Sequence, residues 1–209
     1  MTCSTHNAIL YVSKPISTNI HIGLKIGGRP MKEKGIEDAI QIVTYINNYY
    51  GKTVYTLDIY GSIDSDYQKR FNHLMNNSSD YILYGGIIDY SKTVEVLKDY
   101  YAMMFLTYYK TEGTPGSIID AYSAGLPVIS YNWNSAGEVI KQNKTGFIFE
   151  TGDTKSIEDF LIDLYHESDV INPMKINCLE ESKLYKPELV IKKLSKYLEG
   201  DINNGNKFL

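Results

Sequence analysis

Two carboxylates lie in a glycine-rich stretch of the sequence, TEGTPGSIIDAYSAGLPVIS, at residues 111–130. Glu112 precedes Thr114 and Pro115, which predict the start of a helix because threonine can cap a helix and proline fits its first position. Asp120 follows eight residues after Glu112, inside the predicted helix. We expect Asp120 to accept hydrogen bonds from ribose hydroxyls and Glu112 to accept them from sugar hydroxyls. The alternative is that Glu112 only complements the helix dipole and Asp120 is a surface residue.

Backbone amides and two cations could complete a phosphate site beside these acids. Gly113 and Gly116 remove side chains from the turn, which leaves amides and the positive helix end open to an anion. Arg29 and Lys34 lie in GGRPMKEKG, on the loop that leaves the first predicted strand. Two cations on such a loop could hold a diphosphate by charge and by hydrogen bonds. The alternative for the cations is a solvated basic loop.

Other nucleotide and metal motifs are absent from the sequence. A P-loop ending at GKT, residues 51–53, would need glycine where Ile46 stands, and no GxGxxG follows the first predicted strand. Cys3 and Cys178 form no CxxC pair, and the four histidines have no ligand spacing. We therefore expect no metal site, no disulfide framework and a reducing compartment.

Composition narrows the class of protein further. The 209 residues carry a net charge of -4, with 43% hydrophobic and 22% charged residues, which is typical of a globular α/β chain and argues against binding to nucleic acid. The N-terminus has no pattern of a signal peptide. The longest apolar stretch, residues 100–109, is shorter than the roughly 20 residues that span a bilayer.

Short apolar runs alternate with helical patterns along most of the chain. This alternation predicts an α/β fold, a doubly wound parallel sheet of about six strands that is Rossmann-like. The predicted strands are IHIGLKIGG, TVYTLDIYG, YILYGG, AMMFLTYY, PVISY and GFIFE. The predicted helices are GIEDAIQIVTYINNYYG, SDYQKRFNHLMNN, KTVEVLKDYY, residues 115–124, NSAGEVIKQN, TKSIEDFLIDLYHE and PELVIKKLSKYLEG. Helical spacing places Ile36, Ala39, Ile40, Val43 and Ile46 on one face of the first of these helices.

The expected organisation has one domain with two short appendages. Residues 1–18 are predicted to be an N-terminal arm or the remnant of a linker, residues 19–200 the domain with a C-terminal helix, and residues 201–209 a flexible tail.

Four motifs in order, GRPMKEKG, EGTPGSIIDAYSAGLPVIS, NSAGEVI and KTGFIFETGD, resemble those of family-four retaining glycosyltransferases. The resemblance extends from about Ile20 to Tyr165 and concerns the nucleotide-sugar-binding half of a GT-B fold, the C-terminal one of two Rossmann-like domains. It implies a hexosyltransferase that uses a UDP- or GDP-sugar as donor substrate, without a cofactor or a metal. Family members carry an acceptor-binding domain before this half, so we expect catalysis to need a glycan or lipid-linked acceptor held by that domain or by a partner subunit.

The resemblance also implies roles for individual residues. Arg29 and Lys34 match the cations on the donor diphosphate and Glu112 matches the acid at the transferred sugar, so these three are the candidate catalytic residues. Asp120 stands where the family usually has glutamate at the ribose, and its shorter side chain reaches less far. The candidate substrate-binding residues are Gly28, Arg29, Lys34, Gly86, Ile87, Glu112, Gly113, Thr114, Pro115, Gly116 and Asp120.

The biological context follows from the same resemblance. We expect a role in bacterial capsular or exopolysaccharide biosynthesis, in the cytoplasm or at the inner face of the membrane. Two alternatives stay open: a non-catalytic module of this fold that assembles with a glycosyltransferase partner, and a nucleotide-binding regulator. The chain could equally be an excised domain, a truncated product or one subunit of a split enzyme.

Overall fold

A computed structural model describes residues 20–25, 32–110, 112–192 and 194–195. The predicted arm, the predicted tail and two candidate site residues, Gly28 and Arg29, lie outside these ranges.

One parallel sheet organises the described chain, and its strands lie in the order β3-β2-β1-β4-β5-β6. The α/β class with a parallel sheet, predicted from the alternating pattern, is confirmed. The reversal of strand order on the two sides of β1 places β4 directly beside β1. The strands are β1 (Ile20–Lys25), β2 (Tyr55–Tyr60), β3 (Ile82–Gly86), β4 (Ala102–Phe105), β5 (Val128–Tyr131) and β6 (Gly146–Phe149).

Helices cover both faces of the sheet. Along β4, Ala102 and Met104 belong to a buried cluster with residues of α1 and α6, whereas Met103 and Phe105 belong to a second cluster with residues of α4 and α5. This alternation follows from the two-residue period of a strand. The helices are α1 (Ile36–Tyr50), α2 (Gln68–Asn76), α3 (Thr93–Leu97), α4 (Gly116–Ser123), α5 (Ala136–Val139), α6 (Thr154–His166) and α7 (Ile171–Ser182), with 3₁₀ turns at Lys32–Lys34, Tyr90–Lys92, Ser168–Val170 and Lys183–Tyr185.

Helix α1 begins and ends at glycines in the left-handed conformation, Gly35 with φ 69° and Gly51 with φ 61°. Its predicted apolar face is largely confirmed, since Ile36, Ala39, Val43 and Ile46 are fully buried. Ile40 is only partly buried, and Ile42 takes a fully buried position instead. The inward face of α1 is therefore rotated slightly from the predicted one.

Helix α7 was not predicted from the sequence. It buries Ile171, Met174 and Cys178, but its other residues are mostly polar and include Pro173. Pro173 is the third residue of α7, where the backbone amide has no partner within the helix, so the proline does not interrupt it.

A helical stretch at residues 187–192 matches part of the last predicted helix. None of the helices in the described ranges has both the length and the apolar composition that crossing a bilayer requires.

Candidate functional site

The carboxyl ends of β1 and β4 bring two loops into contact. The amide of Tyr108, after β4, donates a hydrogen bond of 2.7 Å to the carbonyl of Glu33, in the turn after β1. Gly35 follows at a positive φ, and a Cβ atom at that position would lie 2.0 Å from the carbonyl oxygen of Leu106. Only glycine allows this approach, so the backbone of one loop fixes the position of the other.

Lys34 and Glu112 form an ion pair across these two loops. Their side chains are 10% and 15% exposed, so the pair is shielded from water but still open on one side. Thr107 donates a weak hydrogen bond of 3.4 Å from Oγ1 to the same oxygen of Glu112, and it accepts one of 3.1 Å from the amide of Tyr109. The structure therefore brings together the predicted cation and the predicted acid, which lie 78 positions apart in the sequence.

Aromatic rings surround the ammonium group of Lys34. Its Nζ lies 5.6 Å from the ring centroid of Tyr109 and 6.0 Å from that of Phe105. Phe105 in turn packs edge-on against Trp133 at 5.1 Å. The rings limit where the flexible lysine can go, and their electron-rich faces attract its ammonium group.

Helix α4 begins one residue later than predicted. Pro115 has extended backbone angles, φ −71° and ψ 123°, and precedes the first helical residue, Gly116. Thr114 is exposed, and no side chain caps the helix, so the predicted capping role of Thr114 is wrong. Gly113 and Gly116 have open space where a Cβ would lie. The first amides of α4 are thus available to a ligand, since helix geometry gives them no internal acceptor.

Three further predicted site residues are in the described part of the chain. Asp120 is in the second turn of α4 and partly buried. Gly86 ends β3 with φ 74°, and Ile87, next to it, is 73% exposed. Strands β2 and β1 separate β3 from β4. Gly86 and Ile87 are therefore three strand spacings, roughly 14 Å, from the end of β4, which leads into the loop that contains Glu112.

Asp38, in α1, forms hydrogen bonds with tyrosines of β5 and of the segment after β4. Sequence analysis did not identify this residue. Its Oδ2 accepts hydrogen bonds of 2.6 Å from the hydroxyls of both Tyr108 and Tyr131, whose rings pack edge-on at 5.4 Å. Burial, and then the bond to Asp38, raise the pKa of each tyrosine, so both hydroxyls remain protonated donors at neutral pH. Nothing in the sequence around Asp38 indicated that its partners would be Tyr108 and Tyr131, which are far along the chain.

Replacing Tyr108 with phenylalanine is expected to destabilise the chain by about 1 kcal/mol, because one hydrogen bond to Asp38 is lost while the ring packing remains. Urea unfolding measures this difference. The matched control is Tyr109→Phe, since the hydroxyl of Tyr109 has no hydrogen-bond partner among the described residues. Equal losses in the two variants would show that the bond to Asp38 contributes nothing.

Among the described residues, no group of three or more histidine, cysteine, aspartate and glutamate side chains is arranged to hold a metal ion. A lysine, a carboxylate and free helix amides are groups that can form hydrogen bonds with phosphate and hydroxyl groups.

A Rossmann-like sheet carries a cation, an acid and a helix start at the ends of β1 and β4, the edge at which open α/β sheets commonly bind ligands. The family of glycosyl transferases group 1 matches residues 26–178, and the chain belongs to this family. The sequence motifs predicted a resemblance to GT-B glycosyltransferases, and the family match confirms it.

One relative and two solved structures are similar to parts of this chain. Chitobiosyldiphosphodolichol beta-mannosyltransferase of Candida glabrata is 33% identical over 70 residues, which are 34% of this chain and 15% of that protein. The structure of HepE from Anabaena in complex with UDP has a TM-score of 0.76 at 13% identity, over 88% of this chain and 49% of that one. The C-terminal domain of a group 1 glycosyltransferase (LpcC) from Francisella tularensis has a TM-score of 0.66 at 19% identity, over 80% and 87%.

These comparisons differ in what they establish. At such low identities the two solved structures show the fold alone. This chain spans under half the length of HepE, and the matched segment is a small part of the mannosyltransferase.

Proposed function

We propose that this chain binds the nucleotide-sugar donor of a retaining glycosyltransferase and forms the C-terminal half of its GT-B fold. The observation that carries the proposal is the shielded Lys34–Glu112 pair beside the uncapped start of α4. A diphosphate needs a cation and free amides, and a sugar needs a hydrogen-bond acceptor. All of these groups meet at the ends of β1 and β4.

The proposed mechanism is electrostatic. Negative charge builds on the diphosphate as the bond between sugar and phosphate breaks. Lys34, the amides at the start of α4 and Arg29 stabilise that charge more strongly in the transition state than in the bound donor. The rings of Phe105 and Tyr109 keep Lys34 close to the reacting atoms. The anomeric configuration of the sugar is retained.

The remaining candidate residues are assigned to parts of the donor. Glu112 accepts hydrogen bonds from the transferred sugar, and Asp120 accepts them from the ribose. Gly113, Thr114 and Gly116 form the loop whose backbone faces the diphosphate, and Gly28 lets the cation loop approach it. Gly86 and Ile87 lie near the base, and the roughly 14 Å across the strand ends suits an elongated nucleotide sugar.

A whole enzyme needs an acceptor as well as a donor. We propose that a glycan or lipid-linked acceptor is held by an N-terminal domain or by a partner subunit, and that the chain transfers no hexose without it. The proposed setting is the synthesis of capsular or exopolysaccharide in the bacterial cytoplasm or at the inner face of the membrane.

Calorimetric titration of the purified chain with UDP, GDP and ADP tests the donor site. We expect one diphosphate to bind selectively, with UDP and GDP as the candidates. Arg29→Ala should weaken binding of the diphosphate far more than binding of the matching nucleoside, because the guanidinium interacts with phosphate. If none of the three binds, the donor proposal fails and a non-catalytic module of the same fold becomes the better interpretation.

A further inference from the structure

Ser117 is the second residue of α4, and its side chain is buried without a hydrogen-bond partner. The residue is 2% exposed, and its Oγ has no acceptor among the described residues. A buried hydroxyl in this state costs free energy, because the water that satisfied it in the unfolded chain is not replaced. Such groups are rare in folded proteins, so this one needs a physical explanation.

The position of Ser117 in the helix explains why its hydroxyl lacks the usual acceptor. A serine within a helix can donate to the carbonyl three or four residues earlier. Ser123, in the last turn of α4, does so, since its Oγ donates a hydrogen bond of 2.8 Å to the carbonyl of Ile119. For Ser117 the corresponding carbonyls are those of Thr114 and Gly113, which precede the helix. The helix therefore supplies no acceptor at its first turn.

Backbone amides in the same turn also lack acceptors. The carbonyl of Pro115 accepts hydrogen bonds from the amides of Ile118 and Ile119, at 3.0 and 3.4 Å. The amides of Gly116 and Ser117 have no acceptor among the described residues. Helical side chains are tilted toward the N-terminus of their helix, so the hydroxyl of Ser117 is directed toward the end where these amides are free. Two amides and one hydroxyl without acceptors thus belong to two adjacent residues.

A ligand group that only accepts hydrogen bonds fits this set of donors. An ionised phosphate has several acceptor oxygens, and the positive end of a helix favours its charge. Open space beside Gly113 and Gly116 leaves room for it. A serine side chain has three staggered rotamers, so the hydroxyl can turn toward an oxygen that binds there. The Nε1 of Trp133 is also buried without an acceptor, but its indole packs against Phe105 and cannot turn in this way.

We infer that Ser117 donates a hydrogen bond from Oγ to the phosphate group that binds at the start of α4. The inference rests on the proposed function, under which this phosphate belongs to the donor diphosphate. It adds a side chain to the backbone amides that hold the ligand. The hydroxyl destabilises the chain on its own and gains an acceptor when phosphate binds. A serine with a structural role would instead stabilise the chain.

Ser117→Ala tests the inference through stability and binding together. Urea unfolding without added nucleotide should show a midpoint that is unchanged or higher, because the variant removes a buried hydroxyl that has no partner. Calorimetric titration should show that the nucleoside diphosphate binds about tenfold more weakly, because a charged acceptor loses one donor. Binding of the matching nucleoside should not change.

Ser123→Ala is the matched control. It removes a hydroxyl from the same helix, but one that already has an acceptor, and it should leave diphosphate affinity unchanged. If Ser117→Ala binds the diphosphate as tightly as the unmodified chain, the inference is overturned and the donor site stands, since the hydroxyl then serves an internal water. A lower urea midpoint for Ser117→Ala would also overturn it, because the hydroxyl would then have a partner within the chain.

Inorganic pyrophosphate separates this inference from the donor proposal. If UDP, GDP and ADP all fail to bind, the donor proposal fails, and titration with pyrophosphate still tests the phosphate contact. Binding of pyrophosphate that Ser117→Ala weakens and Ser123→Ala does not would support the role of the hydroxyl without a nucleotide. If pyrophosphate fails to bind as well, the inference fails together with the donor proposal.

Discussion

Lys34→Ala is expected to weaken binding of the nucleoside diphosphate by roughly 10- to 150-fold. A hydrogen bond to a charged group contributes about 1.5–3 kcal/mol, and the ammonium of Lys34 pairs with Glu112 on the loop that leads into α4. The rings of Phe105 and Tyr109 hold this ammonium in place, so no other side chain can easily replace it. Calorimetric titration of both proteins with the diphosphate that binds gives the ratio of dissociation constants.

The matched control for this loss is Lys32→Ala. Lys32 begins the same 3₁₀ turn and carries the same charge, but it is exposed, whereas Lys34 is shielded. Removing Lys32 changes the net charge equally and should alter the dissociation constant only slightly, since a solvent-exposed charge is screened. If the two variants lose affinity equally, general charge attraction rather than a specific contact of Lys34 accounts for binding.

Gly35→Ala is expected to destabilise the chain by about 2–4 kcal/mol. Two costs combine, because an L residue is strained at φ 69° and because the new methyl group would lie 2.0 Å from the carbonyl oxygen of Leu106. The loop would have to move away from Leu106, which would also separate Lys34 from Glu112. Urea unfolding gives the loss of stability, and nucleotide titration reports whether the pair is disturbed.

The opposite end of the same helix offers a control. Gly51 has almost the same backbone angle, φ 61°, but a Cβ there would meet nothing within 4 Å. Gly51→Ala should therefore cost only the strain of the positive φ, about 1 kcal/mol, and leave nucleotide affinity intact. A similar loss in both variants would contradict the argument that Leu106 makes the difference.

Local patterns were sufficient to predict the elements that carry strong periodicity. The apolar spacing of α1 and the unbroken apolar run of β4 predicted a helix and a buried strand that the structure contains. Weak patterns failed, as with α7, whose proline lies at a harmless position that composition cannot reveal. Thr114 and Pro115 each permitted a helix start, but Pro115 adopts an extended conformation and the helix begins at Gly116.

Long-range pairings of the site were only partly predictable. Motif order indicated that Lys34 and Glu112 serve one ligand, but their ion pair depends on β4 lying next to β1, and strand order is not encoded in the local pattern. Asp38 had no motif at all. Its role depends on hydroxyls from the ends of two other strands, which only the folded sheet brings within 2.6 Å.

The hydrogen bond between the backbones of Tyr108 and Glu33 limits how the loop that contains Glu112 can vary in length. Surface loops that follow a strand normally accept inserted residues at little thermodynamic cost. Here, a residue added between Leu106 and Tyr108 would displace the amide that donates to Glu33. Gly35 already lies against Leu106, so the two loops cannot move closer to restore the hydrogen bond. The sheet would survive such an insertion, but the acid would no longer face its cation. Related chains that keep this site should therefore vary in loop length elsewhere.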